Sequence, residues 1–430
     1  MTLKSRLITR VLYAILIWCI FSFKVILIGV GESGIRADDF LIFLAFILLL
    51  LRGDLLTVKR SAAFNAYLCF VAASLLSTVW NSSSGRVNPT VSLLFVARLV
   101  QYMVFYYIGS AIARGGIPIS KMLQTYLAIL CAVVPLQMLG LVPVPGVFGG
   151  ITSRAVGNTN GPYEMAAVAA FLLCYLGYRR RNWIRGALSL FLVLLSASRI
   201  TFVAAAFSVG KVTLQRPRSK RALMLGVGGL AVVGLVGLMA APYLSNSSAD
   251  SRGGVAARLS SAASTGISLN TLGSAYQGVP VYRNSADYFE GEFHEASGQA
   301  LEGSGDVSGL IRVLRWTTLI KSALGSLDST ILGLGPSFGS IAVDGYFVRV
   351  FVETGVLGLV FFLWFAKSLL AAHGDSFWEF REYVFIMLGT AIFIDIFVSY
   401  KPMLLLWLWH GMNEYKSKDA VSENRLPNEG

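Results

Sequence analysis

Long apolar segments recur along this chain and restrict its fold more than any other feature. Hydrophobic residues occupy 55% of the 430 positions and charged residues only 14%. A transmembrane helix needs roughly 20 predominantly apolar residues, and about twelve segments approach that length. The segments are 9–29, 34–51, 62–80, 91–113, 122–141, 161–178, 186–197, 199–213, 222–243, 347–366, 383–398 and 402–413. The sequence therefore predicts an all-α, polytopic membrane bundle of about 12 transmembrane helices.

Three of these segments, 186–197, 199–213 and 402–413, are short for a full crossing. We expect half-length, tilted or re-entrant helices there, which a bilayer tolerates where protein covers their ends. The first segment follows three basic residues and continues into the bundle without a small-residue cleavage site. A cleavable signal peptide is therefore not predicted.

Basic residues are distributed unevenly between alternate loops. With a cytoplasmic N-terminus, the inward loops include the basic runs 179–185 and 211–221, whereas outward loops hold single residues such as Arg36 and Arg86. This asymmetry follows the positive-inside rule and predicts that both termini are cytoplasmic. The net charge of +13 then reflects topology. Because no nucleic-acid module accompanies it, nucleic acid is not expected as a partner.

The predicted topology divides the chain into four parts. Residues 1–244 hold the first nine transmembrane helices, 245–346 an extracytoplasmic loop, 347–413 the last three transmembrane helices, and 414–430 a cytoplasmic tail. The loop begins with a polar Gly/Ser-rich stretch and contains an amphipathic helix at about 309–325. Polar groups gathered beside a membrane indicate a functional region.

The amphipathic helix presents two different faces. One face is apolar and carries Leu310, Val313, Leu314, Thr317, Ile320 and Leu324 at helical spacing. Arg312, Arg315 and Leu319 project from another face. One interpretation is an interfacial helix with snorkelling arginines and Trp316 as its anchor. The other is that Arg312 and Arg315, one turn apart, clamp a phosphate, because guanidinium groups bind phosphate oxygens bidentately.

Four polar residues follow the Gly-rich stretch GLGPSFG. If a helix has begun by Tyr346, then Tyr346, Arg349 and Glu353 lie on one of its faces, with Asp344 just ahead at the cap. One arc then gathers two carboxylates, a phenol and a guanidinium beside the bundle. Each of the four could instead be an ordinary loop or helix-start residue.

Four charged residues earlier in the chain are further candidates. Arg98 lies deep in its segment, so it either forms a structural ion pair or lines a site. Arg154 precedes the turn 158–162, whose N–H groups at a helix start favour anions, and Glu164 in the first helical turn could be a simple cap. Arg199 lies between two short segments and could anchor lipid headgroups or bind a substrate.

The order of these elements resembles the O-antigen polymerase and O-antigen ligase superfamily (Wzy-type polymerases) over about residues 150–410. The matching positions are Arg154, Gly157, Asn160, Gly161, Pro162, Glu164, Ser198, Arg199, Arg315, Trp316, Gly333, Gly335, Asp344, Gly345, Tyr346, Glu353, Gly355, Gly358 and Leu359. Ligases of this superfamily resemble each other in a His-Asn pair where this chain has Asp344 and Gly345. The resemblance therefore favours a polysaccharide polymerase over an O-antigen ligase.

The resemblance implies a glycosyltransferase of GT-C-like architecture in the bacterial inner membrane, with its active site facing the periplasm. It would join undecaprenyl-pyrophosphate-linked oligosaccharides into O-antigen, capsule or exopolysaccharide, surrounded by membrane lipid and working beside a flippase and a chain-length co-polymerase. Asp344 would activate or orient the acceptor, with Glu164 or Glu353 as alternates. The pyrophosphate and glycan would be bound by Arg154, Arg199, Arg312 and Arg315, with Tyr346, Arg349 and Arg98 as further candidates. No cofactor or metal is expected, since no Asp-x-Asp motif is present.

Two functions from other classes fit parts of the sequence. Twelve segments with both ends inside also suit a transporter or flippase of lipid-linked sugars, although such proteins usually show symmetry between their halves and none is visible here. A non-catalytic assembly scaffold is the other alternative. The four cysteines lie within predicted segments and the three histidines are widely separated. They predict neither a disulfide framework nor a metal site, and a lone catalytic His294 stays an open alternative.

Overall fold

The computed structural model of the protein describes residues 3–23, 26–30, 33–58, 60–143, 156–215, 279–290, 307–339, 343–372 and 374–423. Helices account for 79% of them. The α-helices are α1 (Leu3–Phe21), α2 (Ala37–Leu51), α3 (Asp54–Thr57), α4 (Ala62–Ser83), α5 (Pro89–Arg114), α6 (Ser120–Met138), α7 (Pro162–Leu172), α8 (Trp183–Leu195), α9 (Arg199–Gln215), α10 (Val307–Ala323), α11 (Leu327–Leu332), α12 (Tyr346–Ala371), α13 (Trp378–Ala391) and α14 (Tyr400–Glu423). A π-helix (Leu173–Arg179) continues α7, and two 3-10 helices (Gly374–Phe377 and Ile396–Val398) flank α13.

Four of these helices, α4, α5, α6 and α12, are long and apolar enough to cross a membrane. By length and composition they indicate a membrane protein, as the sequence predicts. The count of 12 crossings stays a prediction. The predicted segment 222–243 and most of the Gly/Ser-rich stretch, including His294, lie outside the described residues.

The prediction that residues 9–29 form one transmembrane helix is wrong at the C-terminal end of that segment. Helix α1 stops at Phe21, and an antiparallel hairpin follows, formed by β1 (Ile26–Val30) and β2 (Ser33–Arg36). The strand β1 reads ILIGV, and its β-branched residues pack well on a pleated surface. Mean apolarity did not distinguish this strand from a continuing helix.

Two late segments also differ from their predicted bounds. Segment 383–398 is not one helix, because α13 ends at Ala391 and a separate 3-10 helix follows. Segment 402–413, predicted to be short, belongs to the 24-residue helix α14. The apolar run ends at 413 because charged residues follow, but those residues continue the same helix.

Helix α10 covers most of the predicted amphipathic helix, but its buried face is rotated. Leu319, expected beside the arginines, is fully buried in a small core with Phe338 and Val343. Leu324, expected on the apolar face, follows the helix and is exposed. The helix packs against the chain that leads into α12, so contacts from that chain determine which of its residues are buried.

Helix ends gather at two poles of the bundle. At one, the polar pole, Lys401 at the start of α14 donates to the carbonyl of Ile20 at the end of α1 (2.9 Å). Its backbone N–H donates to Glu164 at the start of α7 (2.8 Å). At the opposite pole, Arg114 at the end of α5 pairs with Asp54 (3.0 Å). The start of α12 also lies at the polar pole, so the predicted residues Glu164, Asp344 and Tyr346 share one end of the molecule.

Helices α5 and α14 approach closely at two glycines. A Cβ atom on Gly109 would overlap the carbonyl oxygen of Leu408, and one on Gly411 would overlap that of Tyr106. The hydroxyl of Ser110 donates to the Gly411 carbonyl (3.1 Å). Small residues and interhelical hydrogen bonds of this kind let membrane helices pack without a hydrophobic driving force.

Replacing Gly411 with Ala should lower the thermal stability of the purified protein, because the added Cβ meets the Tyr106 carbonyl. Overpacking typically destabilises by about 1–3 kcal/mol. Gly210→Ala in α9 is the matched control, since a Cβ there meets nothing within 4 Å and Ala favours a helix. Thermal unfolding in detergent measures both, and equal melting temperatures would contradict the close contact.

Candidate functional site

Helix α10 is fixed over the start of α12 by its indole. Trp316 Nε1 donates to the Val343 carbonyl (3.0 Å), and the ring lies beside Phe393, with 5.8 Å between centroids. A Cβ on Gly345 would crowd this indole, so a glycine permits the contact. Trp316 therefore contacts protein groups and fixes the direction in which the arginines of α10 point.

Arg312, Arg315, Asp344 and Tyr163 form a group that we call the arginine cluster. Arg312 Nε lies 3.4 Å and Arg315 Nη1 lies 3.9 Å from Asp344 Oδ2. Arg312 Nη2 also donates to the Tyr163 hydroxyl in the first turn of α7 (3.2 Å). The side chains of Arg312, Arg315 and Asp344 are 19%, 17% and 29% exposed. A ligand can therefore reach all three charges from solvent.

The backbone and the carboxyl of Asp344 are both unusual. Its φ of 58° is left-handed, a conformation that residues other than glycine seldom adopt and that is enriched at functional sites. Burial raises the pKa of the Asp344 carboxyl above its ordinary value, and the adjacent Arg312 opposes that shift. A carboxylate with a raised pKa is a better proton acceptor near neutral pH.

Asp395 holds this backbone in place. Its Oδ2 accepts hydrogen bonds from the N–H groups of Val343 (2.8 Å) and Asp344 (3.3 Å), and its Oδ1 accepts one from Gly345 (3.3 Å). A carboxylate at a helix start also interacts favourably with the helix dipole, here that of α12. Asp395 is thus a positioning residue for Asp344.

A buried ionic network lies directly behind the arginine cluster. Arg349 contacts Asp395 through Nη1 (3.0 Å) and Glu353 through Nε (3.2 Å), and its guanidinium lies over the Phe95 ring (4.9 Å). Glu353 Oε1 accepts the N–H of Ser337 (3.1 Å). Because these charges compensate one another away from solvent, the geometry favours a structural role for Arg349 and Glu353.

Helix α12 is interrupted beside this network. Gly355 has a φ of 66° and breaks the helix. The Gly-rich turn fits into the break: Leu334 donates to the Val352 carbonyl (2.7 Å) and Gly335 to the Glu353 carbonyl (3.1 Å). The turn thereby satisfies carbonyls that the interrupted helix leaves without partners, as buried irregular backbone in a membrane protein requires.

Glu164 joins the starts of two helices. Its Oε2 accepts the N–H of Asn160 (2.9 Å), just ahead of α7, and its Oε1 accepts the N–H of Lys401 in α14 (2.8 Å). The carboxylate therefore occupies the place that an external anion would take at these helix starts. This arrangement favours the capping role over the catalytic alternative.

The other predicted residues have different surroundings. Arg98 donates to the Gly34 carbonyl (2.9 Å) and anchors the β-hairpin on α5. Tyr346 is buried in an aromatic cluster at the start of α12. Arg199 begins α9 and is partly buried. Arg154 lies outside the described residues.

Asp395, Tyr163 and Lys401 belong to this region but were not predicted from the sequence. Asp395 is the only acid within the apolar run AIFIDIFV, and an acid in such a run is a recognisable signal of structural or functional use. Tyr163 and Lys401 give no comparable signal. Their partners come from distant parts of the chain and become neighbours only on folding.

Asp395→Ala should lower the free energy of unfolding by about 3–5 kcal/mol, because it removes one partner of a buried charge and the acceptor of three backbone N–H groups. Asp328→Ala is the control: its pair with Arg86 (2.8 Å) is partly exposed and contributes about 0–1 kcal/mol. Chemical unfolding in detergent compares the two variants. Equal losses would contradict the role assigned to Asp395.

The described residues contain no group of three or more His, Cys, Asp or Glu side chains that could hold a metal ion. Comparison of the sequence with protein-family models and with curated proteins found no match.

Proposed function

We propose that this protein is a polysaccharide polymerase that joins undecaprenyl-pyrophosphate-linked oligosaccharide units. The observation that carries the proposal is the arginine cluster. Two arginines one turn apart on α10 converge on one oxygen of Asp344 at 3.4 and 3.9 Å, and all three side chains remain partly exposed. Two guanidinium groups beside a potential base suit a reaction in which a diphosphate leaves.

In the proposed reaction, a sugar hydroxyl of one unit attacks the anomeric carbon of another. The new glycosidic C–O bond forms as the bond to the lipid pyrophosphate breaks. Arg312 and Arg315 stabilise the charge that develops on the departing diphosphate. Asp344 accepts the proton of the attacking hydroxyl late in the reaction, when that hydroxyl becomes acidic. The described apolar helices would accommodate the polyprenyl chain.

The proposal includes a topology. The polar pole faces the periplasm, both termini are cytoplasmic, and about 12 helices cross the bacterial inner membrane in a GT-C-like arrangement. The placement of the starts of α7, α12 and α14 at one pole supports this topology. A flippase would supply the lipid-linked units, and a chain-length co-polymerase would work beside the enzyme.

A transporter of lipid-linked sugars is the second candidate. The observation that favours it is the interruption of α12 at Gly355 next to the buried charges of Arg349 and Glu353. Discontinuous helices beside intramembrane charges form the binding sites of many transporters. Translocation of labelled lipid-linked sugar into liposomes, without any new linkage, would identify this function. Transfer of glycan to an acceptor without chain growth would instead identify a ligase.

Arg312→Ala should slow chain extension by about 100-fold, the usual effect of losing one donor to developing negative charge. Asp344→Asn should slow it by about 100-fold or more, because a general base is lost. The measurement is polymer length over time, with purified protein in liposomes and synthetic lipid-linked repeat units.

Asp328→Asn is the matched control, since Asp328 lies on α11 and pairs with Arg86, away from the arginines of α10. Its extension rate should equal that of the wild type. Wild-type rates in both Arg312→Ala and Asp344→Asn would refute the residue assignment, and absence of any chain growth by the wild type would refute the polymerase.

The extension rate should fall as the pH drops through the raised pKa of Asp344, because a protonated carboxyl accepts no proton. The acid limb should therefore lie above the ordinary range of an aspartate. Asp344→Asn should lose this limb in its residual activity, whereas Asp328→Asn should keep it. A limb that persists in Asp344→Asn would assign it to another group.

A further inference from the structure

Basic residues from two distant parts of the chain meet at the pole opposite the arginine cluster. Arg179 ends the π-helix and Arg180 follows it, whereas Lys416 lies in the C-terminal part of α14. We call these three residues the basic patch. Arg114, at the end of α5, belongs to this pole, and its guanidinium lies over the ring of Tyr415 (5.9 Å). The patch therefore shares the end of the molecule at which α5 stops.

Arg179 is the fixed member of the basic patch. Its Nη1 donates to Asn413 Oδ1 (2.8 Å), and its guanidinium lies over the rings of Phe377 (5.2 Å) and Trp409 (5.9 Å). Lys416 follows Asn413 by three residues in α14, and residues at this spacing are neighbours on one face of a helix. The hydrogen bond to Asn413 thus brings Arg179 to the turn of α14 that carries Lys416.

The positive charges of the basic patch act on one another. Burial and the charges of Arg179 and Arg180 lower the pKa of the Lys416 ammonium group. Glu379 supplies an opposite charge to Arg179, whereas both charges that act on Lys416 are positive. Like charges held close together repel, so an anion in contact with them stabilises this arrangement.

Aromatic side chains indicate that the basic patch lies at the level of lipid headgroups. Tyr178, near the end of the π-helix, stacks on Trp378 at the start of α13 with 5.5 Å between ring centroids, and lies beside Trp183 at the start of α8 (6.2 Å). Tyrosine and tryptophan are enriched where a membrane meets water. Arg180 and Lys416 are exposed, so both can contact a phosphate at that level.

We infer that the basic patch binds the phosphate of an anionic phospholipid, with Arg180 and Lys416 contacting it beside the fixed guanidinium of Arg179. Guanidinium and ammonium groups both donate to phosphate oxygens, and basic pockets between membrane helices bind anionic headgroups. The positive-inside rule explains why basic residues occur in the loops of one pole. It does not require basic residues from distant segments to converge, as they do here. This site is independent of the proposed enzymatic function.

Titration of phosphatidylglycerol into the full chain in a neutral detergent tests the inference, with native mass spectrometry as the readout. The wild type should bind phosphatidylglycerol in preference to phosphatidylcholine. Arg180→Gln and Lys416→Gln should each weaken the binding of phosphatidylglycerol about fivefold, the contribution of one basic residue at an anionic lipid surface. Both side chains are exposed, so the two variants should fold as the wild type does.

Lys121→Gln is the matched control. Lys121 is an exposed residue in the first turn of α6, which begins shortly after α5 ends at this pole. The variant loses the same charge outside the basic patch and should bind phosphatidylglycerol as the wild type does.

Four results would overturn the lipid site. The wild type binds both lipids equally, Arg180→Gln and Lys416→Gln bind as the wild type does, or Lys121→Gln weakens binding as much as they do. The fourth is displacement of phosphatidylglycerol by inorganic phosphate at constant ionic strength, which would assign the patch to a soluble anion. Because the readout needs no catalysis, the lipid site and the polymerase can fail separately.

Discussion

Two buried carboxylates, Glu164 and Asp395, hold the polar pole together. The first N–H groups of a helix lack partners within the helix, and leaving them unsatisfied in an apolar bundle is costly. Glu164 accepts the N–H of Lys401 in the first turn of α14 and that of Asn160 in the turn before α7, and Asp395 accepts the N–H of Gly345 at the cap of α12 and those of the two residues before it. Arg349 balances Asp395 directly (3.0 Å). Each carboxylate thereby links elements distant in sequence, and the backbone of Asp344 depends on the link that Asp395 makes.

Three arginines at this pole differ in burial: one is buried in ion pairs, and two are partly exposed. Arg349 is nearly inaccessible and contacts two carboxylates, so protein groups already neutralise its charge. Arg312 and Arg315 are partly exposed and both contact the carboxylate of Asp344. A partly exposed ion pair is the one that can exchange its partner for a ligand. The sequence could not make this distinction, because the burial and the counter-charges of these arginines depend on contacts between segments that are distant in the chain.

The lengths of apolar segments predict the long helices correctly. The sequence does not predict which polar groups are buried or which groups they pair with. The long helices α4, α5 and α12 lie where apolar runs predict them, because spanning a bilayer constrains length and composition directly. The strand at Ile26 was missed because apolar runs fit strands and helices alike. Leu319 and Asp395 were misjudged or missed because their burial and pairing depend on long-range contacts. Local spacing carries no information about such contacts.

The pairing of Asp344 with both arginines couples anion binding to proton transfer in the proposed reaction. A diphosphate that takes hydrogen bonds from Arg312 and Arg315 competes with Asp344 for the same donors. Loss of those neighbours removes the influence that opposes the desolvation of the Asp344 carboxylate, so its pKa rises further. The substrate thus converts a salt-bridged carboxylate into a stronger base beside the bond that must form. Because Asp395 fixes the Asp344 backbone independently of the arginines, the carboxylate can lose these ion pairs without losing its position.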